Sequence, residues 1–169
     1  MSAGSTASPP NPSLLDGLAA PLPPPRGCTH FQLRQLARQV GLVYDGALAT
    51  VGLKTTQFSL LSSLLKLGPL RPGDLARAMK MEPSTLSRNL KPLLAAGWAV
   101  LEPGSDGRSR TVRITPAGAA LRGQAQQCWR QAQDQLNATL GPQRVAALHL
   151  LIQESLNLLA AAGAETSDD

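Results

Sequence analysis

From Cys28 onward, apolar residues fall at steps of three and four: Leu33, Leu36, Val40, Val43 and Ala47. That spacing predicts an amphipathic helix with a single stripe to bury. A second helix is expected over about 56–67, with Phe58, Leu61 and Leu65 on one face and the pair Gly68-Pro69 as its stop. Pro72 and the early carboxylate of Asp74 open a short third helix to Met79, whose Leu75, Ala76 and Met79 face inward. After a tight turn at 80–82, Pro83 opens a fourth that ends at Gly97. Two helices joined so closely make a helix-turn-helix. The period then changes: Trp98–Glu102 and Thr111–Thr115 read as two strands around the turn cluster Pro103-Gly-Ser-Asp-Gly107, a hairpin that forms a wing.

Helical spacing returns with the stripe Leu121, Ala125, Cys128, Ala132 and Leu136, breaks at Gly141-Pro142, and resumes as Val145, Leu148, Ile152, Ser155, Leu159 and Ala162. So small a domain cannot cover these two long stripes as well as the first helix, and packing against partner helices is the economical solution. The expected fold is mainly α with a small β-wing: a winged helix-turn-helix flanked by N- and C-terminal dimerisation helices. The expected organisation is a disordered proline-rich arm (1–26), dimerisation helix one (27–52), the winged helix-turn-helix (53–118), the C-terminal dimerisation helices (119–162) and a disordered tail (163–169). Seven of the fourteen prolines lie in the arm, a composition that favours extended chain over packed structure.

Composition narrows the chemistry. The chain of 169 residues has a formal charge of +5, and eight Lys or Arg against four Asp or Glu lie between Arg71 and Thr115. Positive charge gathered on the helix-turn-helix and wing points to a polyanion. No uninterrupted run of 18 apolar residues occurs and no secretory signal pattern opens the sequence, so a cytoplasmic protein is expected. Two cysteines a hundred residues apart and two histidines supply neither a metal site nor a disulfide framework. No catalytic constellation is present, so neither an enzyme nor a cofactor is expected.

On a helical wheel the fourth helix places Leu86, Leu90 and Leu93 within about 60° of one another, with Ser84, Arg88 and Lys91 roughly opposite. Small hydroxyls at the N-terminus allow close approach to DNA, and cations a turn later suit the major groove. Arg88 fits the O6/N7 edge of guanine, while Thr85 and Ser87 fit a phosphate or a thymine methyl. On the wing, Asp106, Arg108 and Arg110 fall within five residues, so the carboxylate can orient one guanidinium through a bidentate pair, and an arginine on the hairpin tip suits the narrow minor groove of A·T-rich DNA.

The string Asp106-Gly-Arg-Ser-Arg110-Thr-Val-Arg-Ile-Thr115-Pro-Ala-Gly118 resembles the DxRSxxVxLTxxG wing signature of the MarR (multiple antibiotic resistance regulator) family. Gly73-Asp-Leu-Ala76 and Pro83-Ser-Thr-Leu-Ser-Arg88 are similar to its helix-turn-helix, and Tyr44, Leu53 and Gln57 stand where its first two helices carry such residues. The resemblance spans roughly 28–159. It implies a homodimer that binds a pseudo-palindromic operator in double-stranded DNA, usually as a repressor, with Ser84, Thr85, Ser87, Arg88, Asp106 and Arg108 at the family's DNA-reading positions. Pro92, inside the recognition helix, departs from that pattern and is expected to kink it, at a cost of about 3 kcal/mol if uncompensated.

The same resemblance implies a small effector, aromatic or other, held between the dimer helices and the winged lobe, with His30, Phe31, Tyr44 and Trp129 as candidate lining residues. Cys28, near the start of the first helix, resembles the sensing cysteine of the family's peroxide-responsive branch but stands somewhat earlier, and a helix N-terminus favours the thiolate. A thiol-based redox sensor is therefore one alternative reading. A winged-helix interaction module without DNA binding is another. Cys128, on an apolar stripe, reads as packing.

Overall fold

The computed structural model describes residues 24–104 and 109–165. Its elements are α1 (Thr29–Ala49), α2 (Thr55–Leu67), α3 (Pro72–Ala78), α4 (Pro83–Ala95), β1 (Ala99–Pro103), β2 (Arg110–Ile114), α5 (Pro116–Leu140) and α6 (Pro142–Glu165). Each element expected from the periodicity is present, with ends displaced by one or a few residues. Between α2 and α3, Leu70 exchanges both backbone hydrogen bonds with Val112 (3.3 and 2.9 Å), adding an isolated bridge beside the two-stranded hairpin.

Residues 29–136 form one compact unit. Its core joins Leu48 and Leu53 to Phe58, Leu60, Leu61 and Leu64 of α2, Leu75 and Ala76 of α3, Leu86, Leu90 and Leu93 of α4, then Ala99, Val112 and Ala125. Leucines dominate, and α2 sits centrally, touching α1, α4 and β2. This central position explains why its buried arc is wider than the single face expected. Leu60 and Leu64 are buried as well, whereas Leu65, in the last turn, is 49% exposed.

Helix ends are fixed by local chemistry. The Asp45 carboxylate accepts both the backbone N–H and the hydroxyl of Thr55 (2.7 Å each), while Gln57 Oε1 accepts the Lys54 N–H (2.8 Å). Two of the orphan donors at the start of α2 are thereby satisfied, one of them by α1. Between α3 and α4 the chain turns through Lys80 in the left-handed region (φ 52°), with the Met81 N–H donating to the Ala76 carbonyl at 2.9 Å. In the hairpin the register pairs Val100 with Arg113, Leu101 with Val112 and Glu102 with Thr111. Ala99, Leu101, Val112 and Ile114 therefore share the core side, and Val100, Glu102, Thr111 and Arg113 the outer side.

The stripe of α1 is left open within one chain: Leu36, Val40, Val43 and Ala47 are half-buried, Leu33 is exposed, and Leu48 alone in this helix is fully covered. One boundary differs, since α6 continues to Glu165, into the segment expected to be tail. Considered by itself, α6 exposes Leu150, Leu151, Ile152, Leu156, Leu158 and Leu159. Pro142–Ala162 is long and apolar enough to cross a membrane by length and composition. A helix this apolar and this exposed has a face left for another chain or a lipid phase.

Candidate nucleic-acid interface

The second helix of the helix-turn-helix is two-sided. Leu86, Leu90 and Leu93 are buried and anchor α4 to the lobe, while Ser84, Ser87, Arg88 and Lys91 are exposed and Thr85 is half-exposed. The wheel argument thus holds residue by residue. Arg88 Nη2 lies 3.4 Å from Thr85 Oγ1 one turn earlier, which tethers the guanidinium loosely along the outer face. Pro92 is accommodated within a helix that runs on to Ala95, and the Ala96 N–H donates to the Pro92 carbonyl at 3.0 Å. Pro92 and Arg88 are both exposed, so the Arg88 carbonyl that Pro92 leaves without an N–H lies on a solvent-facing side where water can satisfy it. On α3, Asp74 pairs with Arg77 at 3.3 Å across a largely exposed turn.

The wing follows directly. Trp98 leaves the helix with its N–H on the Leu93 carbonyl (2.9 Å), and its own carbonyl accepts the Thr115 N–H (3.0 Å), so the hairpin closes beside the end of α4. At the far end the Gly104 N–H donates to the Ser109 carbonyl at 2.7 Å. Arg110 is exposed at the start of β2 opposite Pro103. The two tip residues expected to act, Asp106 and Arg108, lie outside the described residues.

One pair on the wing was not foreseen. Arg113 Nε donates to Glu102 Oε2 at 3.1 Å and Nη2 donates to Oε1, while Nη1 donates to the Ile114 carbonyl at 3.2 Å. The Arg113 side chain holds the Glu102 carboxyl below the usual carboxylate range. The pair is diagonal across the strands, so the sequence conceals it until the register is known.

Gly118 closes the unit from below. A Cβ there would lie 2.1 Å from the Trp98 carbonyl oxygen, so only glycine allows α5 to start this close to the wing. The Thr115 hydroxyl donates to the Gly97 carbonyl (2.7 Å) and accepts the Gly118 N–H (3.1 Å). The Thr and Gly of the wing signature therefore have structural duties.

Comparison with known proteins agrees with this geometry. The model of the MarR family matches residues 51–109. The multiple antibiotic resistance protein MarR of Salmonella typhimurium is 33% identical over 113 residues, covering 64% of this chain and 77% of that protein. The chain belongs to the MarR family. Among solved structures, the Mycobacterium tuberculosis regulator MosR in complex with DNA is 32% identical with a TM-score of 0.67, over 82% of this chain and 98% of that one. A variant of Escherichia coli MarR complexed with operator DNA has the same fold at 22% identity (TM-score 0.69, 75% and 92% covered). The members of this family are transcription regulators rather than enzymes. Among the described residues of this MarR-family chain, no group of three or more His, Cys, Asp or Glu is placed to hold a metal.

The four candidate effector residues do not form one site within a chain. Tyr44 and Trp129 do meet: their rings stack at 6.1 Å, Phe58 stacks on Trp129 at 6.2 Å, and Arg122 lies 5.5 Å from the Phe58 centroid. Tyr44 donates to Gln133, Arg122 Nε donates to Ser62 Oγ at 3.0 Å, and burial pushes the Tyr44 phenol up. Three helices, α1, α2 and α5, are joined there. His30 and Phe31 instead line an open groove with Arg34 and Arg38 on α1, and the two aromatic residues lie about 20 Å along that helix from Tyr44. Residue type alone could not separate these sets, because His30, Phe31 and Tyr44 lie on the same helix and only α5, which carries Trp129, decides which of them is covered. Both cysteines are free thiols: Cys28 is exposed just before α1, and Cys128 is half-buried with Sγ 3.4 Å from Thr50 Oγ1.

Proposed function

We propose that this MarR-family regulator works as a homodimer that binds a pseudo-palindromic operator in duplex DNA and represses the adjoining gene. The observation that carries the reading is the division of α4 into a buried leucine side and an exposed side bearing Ser84, Ser87, Arg88 and Lys91. Ser84, Thr85, Ser87, Arg88 and Lys91 enter the major groove, and Arg110, with Asp106 and Arg108 at the wing tip, reaches the backbone or minor groove beside it. The DNA complexes of the MosR and MarR relatives support the assignment. Dimerisation uses the apolar faces of α1 and α6, so the long apolar helix meets a second copy of the chain and not a membrane. The proposed division is helix one at 27–52, the DNA-binding lobe at 53–118 and further dimer helices at 119–162.

Release from DNA follows a change in the spacing of the two lobes, driven by a small effector near the Tyr44–Trp129 stack. Oxidation of Cys28 is the second route. That thiol is exposed at the N-terminal edge of α1, and oxidised and reduced forms of Escherichia coli MarR stand among the structural relatives.

The test is a titration of the protein against duplex DNA from its own promoter, at several salt concentrations and with unrelated DNA as competitor. Tight, salt-dependent binding that survives the competitor is the expected result. Absence of binding at every salt concentration would turn the assignment to a protein-interaction module. Peroxide that releases the wild type but not Cys28→Ser supports the redox route, and equal release of both removes it.

A further inference from the structure

Among the described residues, the outer side of the hairpin carries one cation and one carboxylate, Arg113 and Glu102, with side chains 39% and 42% exposed. An arginine binds phosphate best through the edge that presents Nε and one terminal nitrogen as a parallel fork. In this chain that edge faces Glu102, with Nε on Oε2 at 3.1 Å and Nη2 on Oε1, and Nη1 is held by the Ile114 carbonyl at 3.2 Å. All three nitrogens are engaged, on a hairpin whose strands are themselves in register. Arg113 therefore keeps one N–H on each terminal nitrogen but no free side-on fork to offer a DNA backbone, although it stands on an exposed side of the wing.

We infer that Glu102 is a specificity-determining residue: by occupying the phosphate-binding edge of Arg113, it withholds one sequence-independent backbone contact from the wing. The contact withheld is the kind that strengthens binding to every duplex alike. Without it, affinity rests more on α4 and the wing tip, where bases and groove shape are read, and the ratio of operator to random binding rises. The pair is neutral as a unit, so the outer side neither attracts nor repels DNA strongly. This inference rests on the proposed DNA binding.

The experiment is a salt titration of wild type, Glu102→Gln, Arg113→Gln and the double variant against operator duplex and against a random duplex of equal length. Melting temperature and dimer mass are recorded for each protein. Glu102→Gln keeps the shape and a neutral acceptor but releases the charge of Arg113. Its affinity for random duplex is expected to rise several-fold at low salt, with the slope of log K against log salt steeper by roughly 1, and the operator-to-random ratio is expected to fall. The double variant should return to the wild-type slope, which separates freed charge from a disturbed hairpin. Arg113→Gln alone leaves a bare carboxylate and should weaken binding to both duplexes equally. Wild-type binding with an unchanged or shallower slope in a folded Glu102→Gln protein overturns the inference and leaves the DNA-binding reading standing. Wild type that binds neither duplex at any salt overturns both.

Discussion

Single atoms decide several features of this chain. Gly118 has no room for a methyl group, because the Trp98 carbonyl oxygen would stand 2.1 Å from it. Gly118→Ala is expected to lower stability by about 1–3 kcal/mol as the start of α5 moves off the wing, measured as a shifted urea midpoint. Asp45 offers a second case. The hydroxyl and backbone N–H of Thr55 hold its carboxyl below the usual range. A carboxylate depressed in the folded state contributes stability above its unfolded value of about 3.9, and that contribution disappears as pH falls through the lower folded value. Asp45→Asn keeps an acceptor oxygen but loses the charge at the start of α2, so it should cost about 0.3–1 kcal/mol near neutral pH, and the gap to wild type should close in acid. A gap that persists below the titration range would show that something other than the charge is at work. Neither role is marked by residue type: Asp45 reads as an ordinary polar position on the first helix until α2 is seen to begin against it.

At the scale of elements, α4 separates a buried anchoring side from the exposed side proposed to read DNA. Leu86→Ala and Leu93→Ala remove buried leucine and should each destabilise the lobe by about 2–5 kcal/mol. Arg88→Ala, on the exposed side, should leave the melting temperature nearly unchanged while weakening operator binding by roughly 1–3 kcal/mol. An unchanged affinity in Arg88→Ala would remove that side of the helix from the interface. This division was legible from the sequence because the apolar residues of a helix recur every three or four positions whatever they pack against. The wing was legible only in part. Alternation marked its strands, but the pairing of Glu102 with Arg113 depends on register, which no single strand reveals. Strand ends also moved by one residue, since Trp98 is held by the end of α4 and Thr115 by the turn before β1.

For the molecule as a whole, the question is what covers α1 and α6. Leu158 and Leu159 are 66% and 71% exposed, and the stripe of α1 is at best half-buried. Apolar surface of this extent, on a chain of the MarR family, fits closure by a second copy. Leu159→Lys, combined with Ile152→Lys, is expected to convert the proposed dimer to a monomer or an aggregate in light scattering and to abolish the proposed tight operator binding, because two half-sites gain from being linked. Deletion of residues 1–26 should leave the dimer intact. A monomeric truncation product would show that the arm contributes to association.

The order and type of elements, the helix-turn-helix, the position of the hairpin and the exposed polar side of α4 were determined by the sequence alone. Periodicity, Pro and Gly punctuation and charge placement are local properties, and they act within a few residues of where they are written. Tertiary structure alone decided the wide buried arc of α2, the engagement of Arg113 by Glu102, the cap from Asp45 to Thr55, and the joining of Tyr44 to Trp129 without His30 or Phe31. Each of these depends on residues of different elements reaching the same few ångströms, and a one-dimensional pattern carries no information about which element will arrive.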